Sequence, residues 1–285
     1  GQRDSLYSIN SKLRSLHLGN RIRKNFMAVV AVKENLSVRD QVSDEEWKTR
    51  VDLACAYRLI AHFYVSDLTY NHLSARVPGE DGHILIKPYD IMFEEVTASN
   101  LLKYDYDGNP LTTGAPKLKG GGLIIHAGLL KEREDINVVF HTHTQANMGV
   151  SSQKWGLLTV NQHAMRFHNR IAYHEFKGFE FNLFMREPLL KDLEGYRVAL
   201  LRNHGSLVLG ETVAETFVMH HFLEFACRGQ IAALSAGYEN LNFPDEEACQ
   251  FAAEQVANEG DNLVGGKDWP ACLRMADRLY PEYRE

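Results

Sequence analysis

The chain has 285 residues, 45% of them hydrophobic, and a formal net charge of −6 at pH 7. This is enough apolar material for one large or two small globular domains, and the acidic balance argues against nucleic acid as a partner. The apolar run at residues 26–32 is far shorter than the roughly 20 residues that span a bilayer, so we expect no membrane segment.

The cysteine pattern bears on the cellular compartment. The four cysteines lie far apart without C-x-x-C spacing, which indicates neither a thiolate zinc site nor a disulfide framework. They are Cys55, Cys227, Cys249 and Cys272. We therefore expect reduced thiols in a cytoplasmic protein.

The first third of the chain predicts an arm, a helix and a hairpin. Residues 1–42 carry no long periodic pattern, and we expect an N-terminal arm that packs across a subunit contact. Ser43 and Glu46 have capping-box spacing, and apolar residues then recur at helical intervals, which predicts a helix to about Tyr64. Apolar runs on both sides of the turn-forming residues 78–82 predict two paired strands.

The rest of the chain interleaves helices and strands. The pattern predicts a buried helix over 122–135, a strand over 136–144, short strands in 169–181, and a helix over 187–195. Two strands flanking a turn at 203–205 and a long helix from 211 to about 237 follow. No linker-like break interrupts them, so we expect one α/β domain over 43–240, with 241–285 as a helical tail packed on it.

Two histidines follow the apolar strand pattern that begins at Val138. His141 and His143 alternate with threonines, and alternate residues of a strand point to the same face. Imidazole is a common ligand of zinc, and a catalytic zinc has three protein ligands and an open position. His204 follows a second apolar strand and is the best third candidate. The alternative is a polar surface pair or a packed pair.

Four ordered segments resemble the class II aldolase and adducin head family. They are "NHLSARVPG", "ILIKPYDIMFEEVTASNLLKYDYDG", "DINVVFHTHT" and "LLRNHGSLVLGETVAETF", and they cover roughly residues 45–240. The resemblance implies a three-layer α/β/α sandwich with a central, largely antiparallel sheet. It also implies a homotetramer with active sites between subunits, and a divalent metal, usually Zn²⁺ with Mn²⁺ as an alternative. The implied ligands are His141, His143 and His204.

The sequence departs from the family where the sugar-phosphate aldolases carry their acid/base. A glutamate stands in those enzymes four residues before the histidine that is His126 here, and this chain has Gly122. The phosphate-binding segments of the family correspond to "KLKGG" and "KPYD" here. A phosphorylated substrate is therefore not expected.

Several residues are candidates for the remaining roles. His126 and His163 are the candidate acid/base groups in place of the missing glutamate, since histidine transfers protons near neutral pH. Asn71 matches the family's substrate-contacting asparagine, and Ser74 is a second candidate contact. Lys87 and Lys119 are candidate partners for a substrate carboxylate. Each of these residues also has an ordinary structural interpretation, and we expect His72 to be structural.

These observations predict a metal-dependent carbon–carbon lyase that acts on a small molecule. A metal with an open position stabilises the enolate formed by retro-aldol cleavage or by decarboxylation. Decarboxylation needs no base to start, because the departing group is already a carboxylate. The alternative is a non-catalytic binding or assembly module, because adducin heads resemble the same fold.

Overall fold

The computed structural model describes residues 36–64, 66–258 and 265–285 and divides the chain into two compact units, 1–43 and 44–285. In the first unit the described residues contain the one-turn helix α1, Val38–Gln41, capped by the Ser37 side chain. The prediction for most of the N-terminal arm lies outside the described residues.

The second unit consists of a seven-stranded sheet and helices. The strands are β1 His72–Arg76, β2 His83–Ile86, β3 Leu102–Asp105, β4 Val138–Thr142, β5 Ala172–His174, β6 Val198–Leu201 and β7 Gly205–Gly210. The α-helices are α2 Asp44–Phe63, α3 Gly128–Glu132, α4 Gln145–Ser151, α5 Gln162–Met165, α6 Arg186–Asp192, α7 Val213–Leu234, α8 Glu246–Asn258 and α9 Asp268–Leu279. Short 3₁₀ turns span Phe93–Glu95, Leu183–Met185, Tyr238–Asn240 and Pro281–Arg284.

The sheet has the strand order β3-β2-β1-β4-β7-β6-β5 and is antiparallel except where β5 pairs with β6. The central strands β4, β6 and β7 are buried along their whole length, which explains their continuous apolar sequence. Strand β4 lies between β1 and β7. This arrangement places the histidine-bearing end of β4 in the middle of the sheet.

Helices cover both faces of the sheet. On one face, Phe140 packs with residues of α2 and α7, such as Leu59 and Phe217. On the other, Val139 packs with Leu129 of α3 and with neighbouring apolar residues. The predicted three-layer sandwich with a largely antiparallel sheet is confirmed.

The helix predicted over 122–135 does not begin as an α-helix. Gly122–Ala127 is π-helical, and the α-helical turn α3 follows it. In a π-helix the residue that lies one turn away is i+5 rather than i+4. Gly121, and not Gly122, therefore lies one turn before His126 on the same face.

The C-terminal segments pack on the same unit. Trp269 of α9 lies against Phe217 of α7, with ring centroids 5.3 Å apart. The backbone oxygens of Tyr283 and Glu285 accept hydrogen bonds from Ala98 and Ser99. Among the helices in the described ranges, none combines the length and apolar character that crossing a bilayer requires.

Candidate functional site

Three histidines meet where β4 ends and β7 begins. His141 is in β4 and His143 lies one residue beyond it, while His204 occupies the tight turn between β6 and β7. Asn203 makes this turn possible with a φ of 58°, a left-handed conformation that asparagine tolerates. Gly205 has no Cβ that would collide with the Thr142 carbonyl, so β7 can approach β4 closely.

The three side chains converge on one point. Nε2 of His143 lies 3.0 Å from Nε2 of His141 and 2.9 Å from Nε2 of His204. One ligand atom from each residue lies within 4.8 Å of the others. His141 is buried, whereas the other two are partly exposed and border solvent.

The outer nitrogen of each ring faces an oxygen acceptor. Nδ1 of His141 donates to the Ser206 carbonyl at 3.0 Å. Nδ1 of His143 donates to Asp67 at 2.9 Å, and Nδ1 of His204 lies 3.3 Å from Glu180. Each ring thus carries its hydrogen on Nδ1, and the three converging Nε2 atoms present lone pairs. Lone pairs at this separation repel one another unless a cation lies between them, so the donor set fits a divalent metal.

Burial favours the neutral, metal-binding form of His141 and His143. Burial holds the pKa of His141 well below its ordinary value. Burial also lowers the pKa of His143, against the opposing effect of its hydrogen bond to Asp67. Burial alone would raise the pKa of Glu180, but the hydrogen bond and charge of His204 outweigh it and lower that pKa. The Glu180 carboxylate is therefore held towards its ionised form beside His204.

A fourth histidine adjoins the three. His72 pairs with His141 across β1 and β4, and their rings stack with centroids 5.9 Å apart. The ring of His126 meets His72 edge-on at 5.2 Å, and its Nδ1 lies 2.6 Å from Oγ of Ser74. Burial lowers the pKa of His72 to about 3 and that of His126 well below its ordinary value. The expectation that His72 is merely structural does not account for this position.

The glycines before His126 face different surroundings. A Cβ on Gly121 would lie 3.1 Å from Cε1 of His72, whereas a Cβ on Gly122 would lie 2.6 Å from Cδ1 of Leu118 and 3.7 Å from Ile86. A side chain at 122 would therefore enter an apolar cluster, and one at 121 would enter the histidine site. Residue 122 is the family's glutamate position when counted in sequence, but the π-helical turn makes residue 121 the one that faces the histidines.

The candidate substrate contacts lie in different environments. Asn71 is buried just before β1 with a φ of 69°, and its Oδ1 has no partner in the described residues. Ser74 is fully buried and bonded to His126. The Lys87 ammonium donates to the carbonyls of Thr69, Pro88 and Ile91, which uses all three of its hydrogens. Burial lowers its pKa to about 8. Lys119 is exposed.

His163 lies against α7. Its ring stacks on Phe222 with centroids 5.2 Å apart and meets Phe225 edge-on at 5.9 Å. Within the described ranges, no hydrogen bond or ring contact joins it to the three histidines. Of the two candidate acid/base groups, only His126 is linked to the site, through the ring of His72.

Sequence reasoning missed the groups that orient the three histidines. Asp67 and Glu180 lie in irregular segments, where no periodic pattern marks a carboxylate as functional. His72 carried one usable signal, because it alternates with Ser74 at the start of a strand predicted to pair with another. That pattern places both side chains on one face but does not show which strand lies alongside.

Comparison with known proteins shows the family. The model of the "Class II Aldolase and Adducin N-terminal domain" matches residues 51–231. A Caulobacter vibrioides protein, whose name assigns it provisionally to aldolase class 2, is 40% identical over 88% of this chain and 97% of its own length. Alpha-adducin of Rattus norvegicus is 33% identical over 83% of this chain, which spans 35% of that longer protein.

Solved structures agree with this relationship. An aldolase II superfamily protein from Pseudomonas syringae has a TM-score of 0.83 and 43% identity, covering 87% of this chain and 99% of that one. The L-fuculose 1-phosphate aldolase of Glaciozyma antarctica shares the fold, with a TM-score of 0.74 at 22% identity over 85% of this chain and 93% of its own. The chain therefore belongs to the class II aldolase and adducin family.

Proposed function

We propose that this chain is a divalent-metal-dependent lyase that cleaves a carbon–carbon bond of a non-phosphorylated hydroxy acid, keto acid or related carbonyl compound. The cleavage is a decarboxylation or a retro-aldol reaction. The observation that carries the proposal is the convergence of three Nε2 lone pairs whose rings are oriented by Ser206, Asp67 and Glu180.

The three histidines are the proposed metal ligands, and Zn²⁺ is the proposed ion, with Mn²⁺ as an alternative. An all-imidazole set with partial exposure matches catalytic zinc sites, which have three protein ligands and an open position. When bound, the ion supplies Lewis-acid stabilisation of the negative charge that develops on a substrate oxygen. The hydrogen bonds at Nδ1 fix each ring and raise its basicity as a ligand.

The surroundings of the site favour a substrate without a phosphate. Lys87 donates its ammonium hydrogens to the carbonyls of Thr69 and of Pro88 and Ile91 in its own loop, so none is left for a phosphate group. Lys119 remains exposed in the segment before the π-helical turn and is the proposed partner for a substrate carboxylate. Asn71 stays a proposed contact, since its amide oxygen has no partner within the described residues.

The missing carboxylate favours decarboxylation over proton-dependent cleavage. Gly121 and Gly122 stand where a base would precede His126, and neither supplies a proton acceptor. Loss of carbon dioxide leaves its electron pair on the remaining fragment without any prior deprotonation. A site that stabilises charge and has glycine where the family's base would precede His126 suits this reaction.

The test combines metal analysis with a substrate screen. The purified protein is loaded with zinc, and non-phosphorylated hydroxy and keto acids are screened for released carbon dioxide or aldehyde. We expect one zinc per chain, turnover of at least one acid, and loss of both in His204→Ala. Full zinc occupancy in His204→Ala would refute the assignment of that ligand.

The similarity to adducins supports a second candidate, a non-catalytic binding or assembly module. The absence of a carboxylate at positions 121 and 122 is consistent with it. Full zinc occupancy without turnover of any screened acid would favour this candidate. Turnover that His204→Ala abolishes would exclude it.

A further inference from the structure

Three polar side chains form a row beneath the π-helical turn. His72 and Ser74 are two residues apart in β1, so both point to the face of the sheet that the turn covers. His126 reaches down from the turn to Ser74, and its ring meets His72 edge-on. The row leads from the buried interior to the three-histidine site.

Among the residues that the structure describes, two ring nitrogens in this row are buried and have no hydrogen-bond partner. They are Nε2 of His126 and Nδ1 of His72, on rings whose centroids lie 5.2 Å apart at an angle of 89°. A buried ring nitrogen without a hydrogen bond is energetically unfavourable. Each nitrogen is the available partner of the other, directly after a small ring rotation or through one bridging water.

The Ser74 hydroxyl decides which group donates and which accepts in each hydrogen bond of this row. It is fully buried, and in the described part of the chain its one hydrogen bond is to Nδ1 of His126. If His126 donated there, the hydroxyl hydrogen would have no acceptor. Ser74 therefore donates, and His126 carries its own hydrogen on Nε2. Its nearest unpartnered buried counterpart is Nδ1 of His72, and donation to that nitrogen requires His72 to carry its own hydrogen on Nε2.

We infer that Ser74, His126 and His72 form a directional hydrogen-bond chain that holds His72 as a neutral Nε2–H donor to a substrate oxygen. This inference rests on the proposed function and names a new substrate contact for it. His72 stacks on His141 and is partly exposed as a residue, so the donor lies beside the three converging nitrogens. His126 and Ser74 act through His72 and are positioning residues.

The hydrogen-bond chain explains how the site can act although positions 121 and 122 carry no carboxylate. A fixed N–H donor stabilises negative charge that develops on an oxygen, and it cannot take up a proton at that nitrogen. This suits cleavage that needs no base. Gly121 belongs to the same arrangement, because a Cβ there would lie 3.1 Å from Cε1 and 3.7 Å from Nδ1 of His72. Glycine at this position leaves space for the His72 ring.

The first test needs no substrate and no metal. Protein with isotope-labelled histidine is studied by long-range hydrogen–nitrogen correlation spectra, which distinguish protonated from bare ring nitrogens. His72→Gln identifies the signals of His72. We expect hydrogen on Nε2 of His72 and of His126 in the metal-free protein. Hydrogen on Nδ1 of either ring would overturn the inference. In Ser74→Ala we expect a mixture of tautomers at both rings, and an unchanged tautomer would also overturn it.

The second test measures how much the His72 N–H contributes to ligand binding, by the affinity of the zinc-loaded protein for glycolate. We expect His72→Leu to weaken glycolate binding about 10- to 100-fold, the usual effect of losing a hydrogen bond to a charged group, while zinc affinity stays unchanged. His72→Gln places an amide N–H near the position of Nε2 and should restore most of the loss. Equal affinity in wild type and His72→Leu, or no rescue by His72→Gln, would overturn the inference.

The two tests separate this inference from the proposed function. Failure of the wild-type chain to bind zinc or glycolate would contradict the proposed function, and the metal-free spectra would still decide the hydrogen-bond chain. His126→Phe is a further variant in which we expect weaker glycolate binding with unchanged zinc affinity. Should it fail to fold, Ser74→Ala tests the same link.

Discussion

His72 and His141 face each other across β1 and β4, and their imidazole rings stack with centroids 5.9 Å apart and planes 26° apart. Cross-strand partners share a face of the sheet, so this pairing brings the His72 side chain beside the three converging histidines. Asn71, one residue earlier, occupies a left-handed turn. Strand pairing therefore brings His72 to the site, although it is distant in sequence from His141.

The carboxylates that orient the histidines should control metal affinity. Asp67→Asn and Glu180→Gln each remove the charge that faces a ligand's Nδ1 and keep a similar shape. We expect each to weaken zinc binding about 10- to 100-fold. Competition with a chelating dye measures the affinity. Glu175→Gln, an exposed neighbour on the same segment, is the control and should bind zinc as the wild type does.

The buried histidine of α7 should make stability depend on pH. His220 accepts or donates one hydrogen bond at Thr142, its Nδ1 has no partner within the described residues, and burial lowers its pKa to about 3. Between about pH 3 and the ordinary histidine value of about 6.5, the unfolded chain binds a proton that the folded chain does not. Stability therefore falls as the pH drops through this window.

The contribution of His220 can be isolated. The wild-type chain takes up one more proton on unfolding than His220→Gln does. A plot of unfolding free energy against pH should therefore be less steep for His220→Gln, by about 1.4 kcal/mol per pH unit between pH 4 and pH 6. Urea denaturation of the chelator-treated protein at several pH values measures this slope. Parallel curves for wild type and variant would contradict the prediction. Chelation is needed because bound metal adds its own proton linkage.

Local patterns predicted the regular elements well. The helix expected from residue 43 to about 64 is Asp44–Phe63, and the one expected over 211–237 is Val213–Leu234. The three histidines also came together as expected, because His141 and His143 lie at the end of one buried strand and His204 follows a neighbouring one. These features depend on periodicity and on strand ends, both of which are visible in sequence.

The missed features depend on contacts between distant segments. Asp67 and Glu180 reach His143 and His204 from irregular segments, and no local rule connects those positions. The π-helical turn was also missed, because its apolar residues fit an α-helical pattern equally well. A sequence pattern with a period of 3.6 does not report a single turn bonded at i+5.

We expect the purified chain to form a homotetramer, as the family resemblance implies. Light scattering coupled to gel filtration should give a mass near four copies of the 32.4 kDa chain. The measurement is made at micromolar concentration, with and without added zinc. A mass of one chain under both conditions would refute the prediction.

A carboxylate at position 122 should lower stability without adding a catalytic base. Gly122→Glu places a carboxylate against Leu118 and Ile86 in an apolar cluster. Burial of an unpaired charge should lower the unfolding free energy by about 2–4 kcal/mol, measured by urea denaturation, and should not create an aldolase base. Increased turnover in Gly122→Glu would show that residue 122 does face the site.

The matched alanine variants test the same geometry without a charge. Gly121→Ala pushes on the ring of His72, whereas Gly122→Ala meets the end of the flexible Leu118 side chain. We expect Gly121→Ala to weaken glycolate binding to the zinc-loaded protein several-fold with little change in stability, because the displaced ring moves its N–H away from the ligand. Gly122→Ala should leave glycolate affinity unchanged. If Gly122→Ala weakened binding and Gly121→Ala did not, the turn would be α-helical at this point, and position 122 would again be the one that faces the metal ligands.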